Sequence, residues 1–365
     1  MVRVPSLILN VTRTMILPLT PALSRRESEA RGWGSKVAAV FMTTAGVALL
    51  LAGAAVLWLG LPDIPAFWHQ PFSYSKHAIW KPGDAAFPAL TGRYPVEAFS
   101  RYAIEHGDGN LLTLHVADYR DADGSMRRAG VYLSDADPAH PIADAMQIRR
   151  EAWAAAANAV TAHAGPQALF LTLWDNGQRL HFFTGAASWL MLPNPAAWRD
   201  GHERRFWQEL AGGADTSSKP RQLARWLTMD AEQAVKDMAA QLPKDKAPYW
   251  LVTVDDLARL NEIETLAGVS LPLETRLFPH ADNLHALIAD VKRWALEKGS
   301  GNYLVQQIPG YGVRAWRVAD AKADDTLLVR LLPFTGSIGR APEGLQAVYQ
   351  SEQAWLTVYR LSGRH

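Results

Sequence analysis

A run of 25 nearly continuous apolar residues constrains this 365-residue chain more than any other feature. Between Val37 and Leu61, apart from the aromatic Trp58, the only side chains with polar atoms are those of Thr43 and Thr44, which can bond to their own helix backbone. As a helix the run is roughly 37 Å long, enough to cross a hydrocarbon core of about 30 Å. We therefore predict a single transmembrane helix over residues 36–61, with Val37–Leu61 in contact with the lipid bilayer.

The charges that flank this run predict its orientation. Arg25, Arg26, Arg31 and Lys36 precede it. The first cation after it is Lys76. Since segments rich in Lys and Arg stay in the cytoplasm, we expect a cytoplasmic N-terminus and a large periplasmic domain at a bacterial inner membrane. The alternative is a cleaved signal peptide, whose small-residue site would be Ala52-Gly53-Ala54, inside the run.

Residues 1–35 show neither helical nor strand periodicity and contain Pro18 and Pro21. The stretch Leu17–Gly34 resembles the translated form of an interspersed repeat that is common between bacterial genes. We expect the true start of translation near Val37 or Met42, which makes the first 35 residues a mis-annotated start. The alternative is a genuine disordered cytoplasmic tail.

The remaining chain reads as a Pro/aromatic-rich stalk over 62–95 followed by alternating helices and strands. The predicted strands are Leu111–Ala117, Ala129–Leu133, Ala168–Trp174, Tyr249–Val254, Leu273–Phe278, Tyr303–Ile308, Thr326–Leu331 and Trp355–Leu361. The predicted helices are Arg149–Ala164, Arg204–Leu210, Gln222–Leu227, Ala231–Gln241, Asp255–Leu266 and Asn283–Lys298. This order predicts a layered α/β domain, with α+β as the alternative class.

A weak internal similarity suggests two related α/β halves, 96–220 and 221–365. Each half contains a helix, an apolar strand, an acidic residue where that strand ends, and an arginine on the next element. Chance similarity between two α/β units is the alternative interpretation.

Composition excludes several chemistries. The chain has no cysteine, so it offers no thiol nucleophile and no C-x-x-C-H site for a c-type haem. Its net charge of +1 and lack of a basic stripe argue against nucleic-acid binding. We predict no cofactor, no metal site and no recognisable catalytic residues, which favours a non-enzymatic role.

The segment Leu173–Gly185 carries the densest group of functional side chains, at the predicted end of a buried strand. Its candidate ligand or partner-binding residues are Trp174, Asp175, Asn176, Gln178, Arg179 and His181. Because ligands bind at the carboxyl ends of strands in open α/β sheets, a polar binding patch is one interpretation of this segment. The interpretation that we favour is a helix cap or turn in which Arg179 pairs with Asp175.

Asp255 and Asp256 occupy the matching position in the second half. Two adjacent carboxylates suit cation binding or general base chemistry. Helix capping by either residue is the simpler interpretation.

The order of these motifs resembles the HaoB-type accessory proteins. The resemblance rests on the apolar run, the Pro/Trp-rich segment, LWDNGQRLHFFTG with the following Trp189, and PYWLVTVDDLARLNEIE, and covers the chain from about residue 40 to its end. HaoB-type proteins are membrane proteins encoded beside a multihaem hydroxylamine oxidoreductase. The resemblance implies a membrane-tethered, periplasm-facing partner of that c-type cytochrome enzyme in hydroxylamine oxidation. It assigns no catalytic residue.

Two functions of other classes stay open. The letters WDNG resemble the W-W-D motif of membrane oligosaccharyltransferases, which allows an enzyme or accessory factor of envelope glycan assembly. Those enzymes have many membrane spans, whereas this sequence predicts one. The third possibility is a generic ligand-binding module anchored in the cell envelope.

Overall fold

The computed structural model of the protein describes residues 72–106, 111–133, 143–280, 283–308 and 312–362. The predicted transmembrane segment Val37–Leu61 and residues 1–35 lie outside these ranges. Within them, no helix has the length and hydropathy needed to cross a membrane.

A five-stranded mixed sheet forms the centre of the described fold. Its strands are β5 (Ala168–Leu171), β6 (Ala187–Ser188), β7 (Ala247–Thr253), β11 (Leu345–Gln350) and β12 (Leu356–Leu361), in the order β11-β12-β7-β5-β6. Strands β5 and β7 are parallel, while β12 is antiparallel to both β7 and β11. All four residues of β5 are buried, as expected for a parallel strand covered on both faces. Both predicted halves supply strands to this sheet.

The described helices surround the sheets. They are α1 (Ala143–His163), α2 (Trp174–Thr184), α3 (Gly201–Ala211), α4 (Lys219–Thr228), α5 (Ala231–Gln241), α6 (Leu260–Ala267), α7 (Leu284–Leu296) and α8 (Leu327–Leu331). Short 3₁₀ helices lie at Pro195–Ala197, Val254–Arg259, Ala321–Ala323 and Glu352–Ala354. The main apolar core contains residues from both sides of the central sheet, among them Trp153, Phe170, Trp226 and Trp250.

A four-stranded antiparallel sheet precedes the central one in sequence. Its strands follow chain order as β1 (Phe72–Trp80), β2 (Val96–His106), β3 (Leu111–Arg120) and β4 (Met126–Val131). Phe182 of α2 packs into the apolar cluster on one side of this sheet, beside Phe99. The irregular stalk predicted for 62–95 is therefore wrong for Phe72–Trp80, which pairs with β2 along its length.

The third sheet has the order β8-β10-β9, with β8 at Leu273–Pro279, β9 at Tyr303–Ile308 and β10 at Gly312–Val318. Helix α7 covers one face through Leu287, Val291 and Trp294, which pack against Phe278 and Ala315.

These elements confirm the mixed α/β class, and the bounds predicted for α5 and β9 match the structure. The strand predicted at Thr326–Leu331 is wrong, because Leu327–Leu331 is a helix. Four of its five residues are buried, and a short run that is apolar on every side shows no period that separates helix from strand.

Candidate functional site

The two predicted carboxylate segments meet at one edge of the central sheet. Helix α2 begins at Trp174, just after β5, and the 3₁₀ helix Val254–Arg259 follows β7 directly. Since β5 and β7 are adjacent and parallel, both segments emerge at the same edge. Asn176 Nδ2 donates a hydrogen bond of 2.7 Å to Asp256 Oδ1 and joins them. The predicted strand Ala168–Trp174 is too long, because the helix takes its last residue.

Asp256 is a buried acid at the centre of this junction, with 5% of its surface exposed. Its carboxyl group also accepts bonds from the Thr253 backbone N–H, at 3.1 Å, and from Thr253 Oγ1, at 2.8 Å. Burial raises the pKa of Asp256 to about 7, and the nearby charge of Asp175 adds to the effect. Helix capping was predicted for Asp255 or Asp256. In the structure Thr253 is the N-cap of the 3₁₀ helix Val254–Arg259, and the Asp256 carboxylate accepts from the Thr253 backbone N–H.

Asp175 lies in the first turn of α2, where the helix dipole favours a negative charge. Its Oδ2 is 3.9 Å from Arg259 Nη1, whereas Oδ1 is buried and has no hydrogen-bond partner. The predicted pairing of Arg179 with Asp175 is wrong. Arg179 instead donates to Asn176 Oδ1 and to the Gly130 carbonyl oxygen, each at 2.8 Å.

Both arginines are held between aromatic rings. The Arg179 guanidinium lies 4.8 Å from the ring centre of Tyr132 and 4.9 Å from that of Trp153. The Arg259 guanidinium lies 4.8 Å from the ring centre of Trp174 and 4.7 Å from that of Trp207. Such contacts stabilise a desolvated cation where water is excluded.

Glu262 completes the charge balance on the Arg259 side. Arg259 Nε donates to Glu262 Oε2 at 2.9 Å, and Trp174 Nε1 donates to Glu262 Oε1 at 3.1 Å. Burial raises the pKa of Glu262 above its usual value, while the charge of Arg259 opposes the shift.

Asp255 faces a different set of partners from its neighbour. Arg149 donates to both carboxylate oxygens, at 2.6 and 2.9 Å, and Gln306 Nε2 donates at 2.8 Å. Burial opposes ionisation of Asp255, yet the bonds and charge of Arg149 outweigh it and lower the pKa of the carboxyl group. The Arg149 guanidinium also lies 5.5 Å from the ring centre of Trp355.

The backbone before Trp355 is strained. Gln353 and Ala354 both have left-handed φ angles, of 56° and 55°, which cost non-glycine residues energy. The turn positions Trp355, whose carbonyl oxygen accepts from the Val254 N–H at 2.9 Å.

Two of the predicted site residues lie apart from this junction. Gln178 is 2% exposed and donates to the Ala211 carbonyl oxygen at 2.8 Å. His181 lies next to the four-stranded sheet, where its Nε2 is 3.1 Å from Asp121 Oδ2 and its ring stacks on Tyr94. The side chains of Gln178 and His181 therefore bind partners outside the junction.

Comparison with models of protein families gives a match over most of the chain. A family model described as "HaoA-associated protein HaoB" matches residues 38–361. The chain belongs to the HaoB family. The predicted apolar span lies within that match except for Val37, and residues 1–35 lie outside it.

Other comparisons do not assign a function to this HaoB family member. No curated protein matches it. Among solved structures, the C-terminal domain of C. jejuni PglB is similar, with a TM-score of 0.35 and 12% identity, over 57% of this chain and 99% of that one. A similarity of this size does not extend to activity.

Two cations of this HaoB protein's junction, Arg149 and Arg259, were not among the residues predicted from its sequence. Arg149 is 106 positions from its partner Asp255, so no local spacing indicates the pair. Arg259 follows Asp255 by four positions on a segment predicted as a helix, which is the one local signal that a cation lies near these acids.

Most polar groups of the junction bind one another, with the buried Asp175 Oδ1 as an exception. Within the described residues no group of three His, Asp or Glu side chains has a geometry that could hold a metal ion. Two open clefts of about 360 and 610 Å³ lie elsewhere, and neither is lined by a predicted site residue. The junction joins α2 to the β7 edge, and Asp256 can exchange a proton near neutral pH.

Proposed function

We propose that this protein is a membrane-anchored accessory partner of a multihaem hydroxylamine oxidoreductase, held at the periplasmic face of a bacterial inner membrane. The observation that carries the proposal is the HaoB match over residues 38–361. That family is described as associated with HaoA, and HaoA is the hydroxylamine oxidoreductase. The apolar run Val37–Leu61 supplies the anchor, and the cations before it supply the orientation.

A non-catalytic role is supported by the pairing at the sheet edge. Asp255 is bound by Arg149 and Gln306, and Asp256 by Asn176 and Thr253. Carboxylates that accept several internal hydrogen bonds are held in place and have little capacity left for a substrate. These groups stabilise the domain, and its outer surface makes the contact with the partner.

The absence of cysteine supports the proposal that the partner, and not this chain, transfers electrons through c-type haems. Without a C-x-x-C-H motif the chain attaches no c-type haem. Electron transfer in the proposed complex therefore belongs to the haem-bearing partner, while this protein tethers or assembles it.

Affinity capture of the full-length protein from detergent-solubilised membranes tests the proposal. We expect a multihaem cytochrome to co-purify, detected by its haem absorbance and by peptide mass spectrometry. The control is an unrelated single-pass periplasmic protein with the same tag. Capture of envelope glycan enzymes without a multihaem cytochrome would contradict the proposal.

A further inference from the structure

A polar cleft of about 360 Å³ lies between the loop before β9 and the segments on either side of α8, and none of its lining residues belongs to the carboxylate junction. Its floor is Asn302, which is 7% exposed. Asn302 Nδ2 donates to Asp324 Oδ1 at 2.8 Å, and Asn302 Oδ1 accepts from Thr335 Oγ1 at 3.1 Å and from the Gly336 N–H at 2.8 Å. An amide bound on both ends is fixed in orientation, so the cleft is built before any ligand enters.

Glycine at position 336 allows this floor to form. A Cβ there would lie only 3.0 Å from Asn302 Nδ2, closer than ordinary contacts allow. The loop backbone consequently approaches Asn302 closely enough to donate its N–H.

One wall of the cleft is cationic and has unused donors. Arg330 makes only long contacts, to Asp325 Oδ1 at 3.4 Å and to the Arg340 carbonyl oxygen at 3.3 Å. Its Nε is buried and has no acceptor, although buried donors are nearly always paired. The Arg340 guanidinium has no ion pair within the described residues.

Two carboxylates, Asp324 and Asp325, line the same cleft. Asp324 uses Oδ1 for Asn302, and Asp325 keeps 71% of its side chain exposed beside its long contact to Arg330. A simple anion would be attracted by the two arginines and repelled by these two carboxylates. A simple cation would be attracted by the two carboxylates and repelled by the two arginines. A ligand that carries both charges a few ångströms apart can pair with the arginines and with the carboxylates.

We propose that this cleft binds a small zwitterion, a free α-amino acid whose carboxylate lies against Arg330 and Arg340 and whose ammonium lies against Asp324 and Asp325. Guanidinium groups match a carboxylate with paired donors, which explains the two arginines. The residues that line the cleft take no part in the carboxylate junction, and amino acid binding does not require the association with a hydroxylamine oxidoreductase.

Isothermal titration calorimetry on the full-length protein in detergent tests the site, with the proteinogenic amino acids as probes. We expect at least one of them to bind with a Kd below about 1 mM. Acetate and methylammonium, which each carry one of the two charges, should bind at least about 10-fold more weakly.

Arg340→Gln should weaken binding at least about 10-fold without changing the melting temperature, because its side chain is exposed. Arg293→Gln is the matched control: this arginine is 73% exposed on α7, pairs with Asp290 and should leave binding unchanged. Three results would each overturn the proposal: no amino acid binding below about 1 mM, acetate binding as tight as that of any amino acid, or unchanged binding by Arg340→Gln.

Discussion

At the scale of single residues, Asp256 couples folding to pH. Its pKa of about 7 in the folded protein exceeds the ordinary value of 3.8, so the folded state binds more protons between these values. Its contribution to stability is fully present below the unfolded pKa and is lost as the pH rises to about 7. One pKa unit corresponds to about 1.4 kcal/mol, so the loss is on the order of a few kcal/mol.

Asp256→Asn removes this titration while keeping the shape of the side chain. We expect the melting temperature of the wild type to fall between about pH 5 and pH 7 more than that of the variant. Thermal unfolding at both pH values measures the difference. An equal pH dependence in the two proteins would show that Asp256 does not titrate in this range.

Asp175 raises the pKa of Asp256 through its charge, so Asp175→Asn should lower that pKa and move the pH dependence to more acidic values. The variant also loses an interaction with the dipole of α2, worth about 0.3–1 kcal/mol. The measurement is the same melting series. A midpoint that stays in place would indicate that burial alone sets the pKa of Asp256.

At the scale of elements, α2 is fixed against the chain that follows it by a close backbone approach. A Cβ at Gly177 would lie 2.0 Å from the Leu190 carbonyl oxygen, so the helix would have to move. Gly177→Ala should destabilise the domain by about 1–3 kcal/mol, as overpacking does elsewhere. Gly165→Ala is the control, because nothing lies within 4 Å of its Cβ position. Equal melting temperatures for the two variants would contradict this packing.

Elements whose local pattern determines their structure could be predicted from sequence. Helix α5 at Ala231–Gln241 and strand β9 at Tyr303–Ile308 have the bounds that their periodicity indicates. The meeting of Asn176 with Asp256 follows the rule that parallel strands end at one edge of a sheet. The helix at Leu327–Leu331 could not be predicted from the sequence, because it is buried on nearly every side and its apolar run shows no helical period.

Partners that are distant in sequence could not be predicted. Arg149 reaches Asp255, and Arg259 lies between Trp174 and Trp207, only through the tertiary fold. Arg179 was expected to pair with the nearest acid, Asp175. It binds Asn176 and Gly130 instead, because the buried rings of Tyr132 and Trp153 determine where its guanidinium lies.

At the scale of the whole molecule, the proposed anchor Val37–Leu61 would determine where the domain works. A charge at the bilayer centre costs about 2.5–3.5 kcal/mol on insertion scales. Leu50→Arg, near the middle of the apolar run, should therefore reduce the membrane-bound fraction, whereas Leu50→Ala should not. Carbonate extraction followed by immunoblotting measures both. Full membrane retention of Leu50→Arg would contradict the predicted span.

We propose that this protein binds a multihaem hydroxylamine oxidoreductase. The most direct measurement mixes the purified full-length protein in detergent with the purified enzyme and follows haem absorbance during size-exclusion chromatography. Because this chain has no C-x-x-C-H site for a c-type haem, a shift of the enzyme's haem absorbance to a larger species reports the complex. We expect that shift at micromolar concentrations. Haem absorbance that elutes at the position of the free enzyme at every ratio would contradict it.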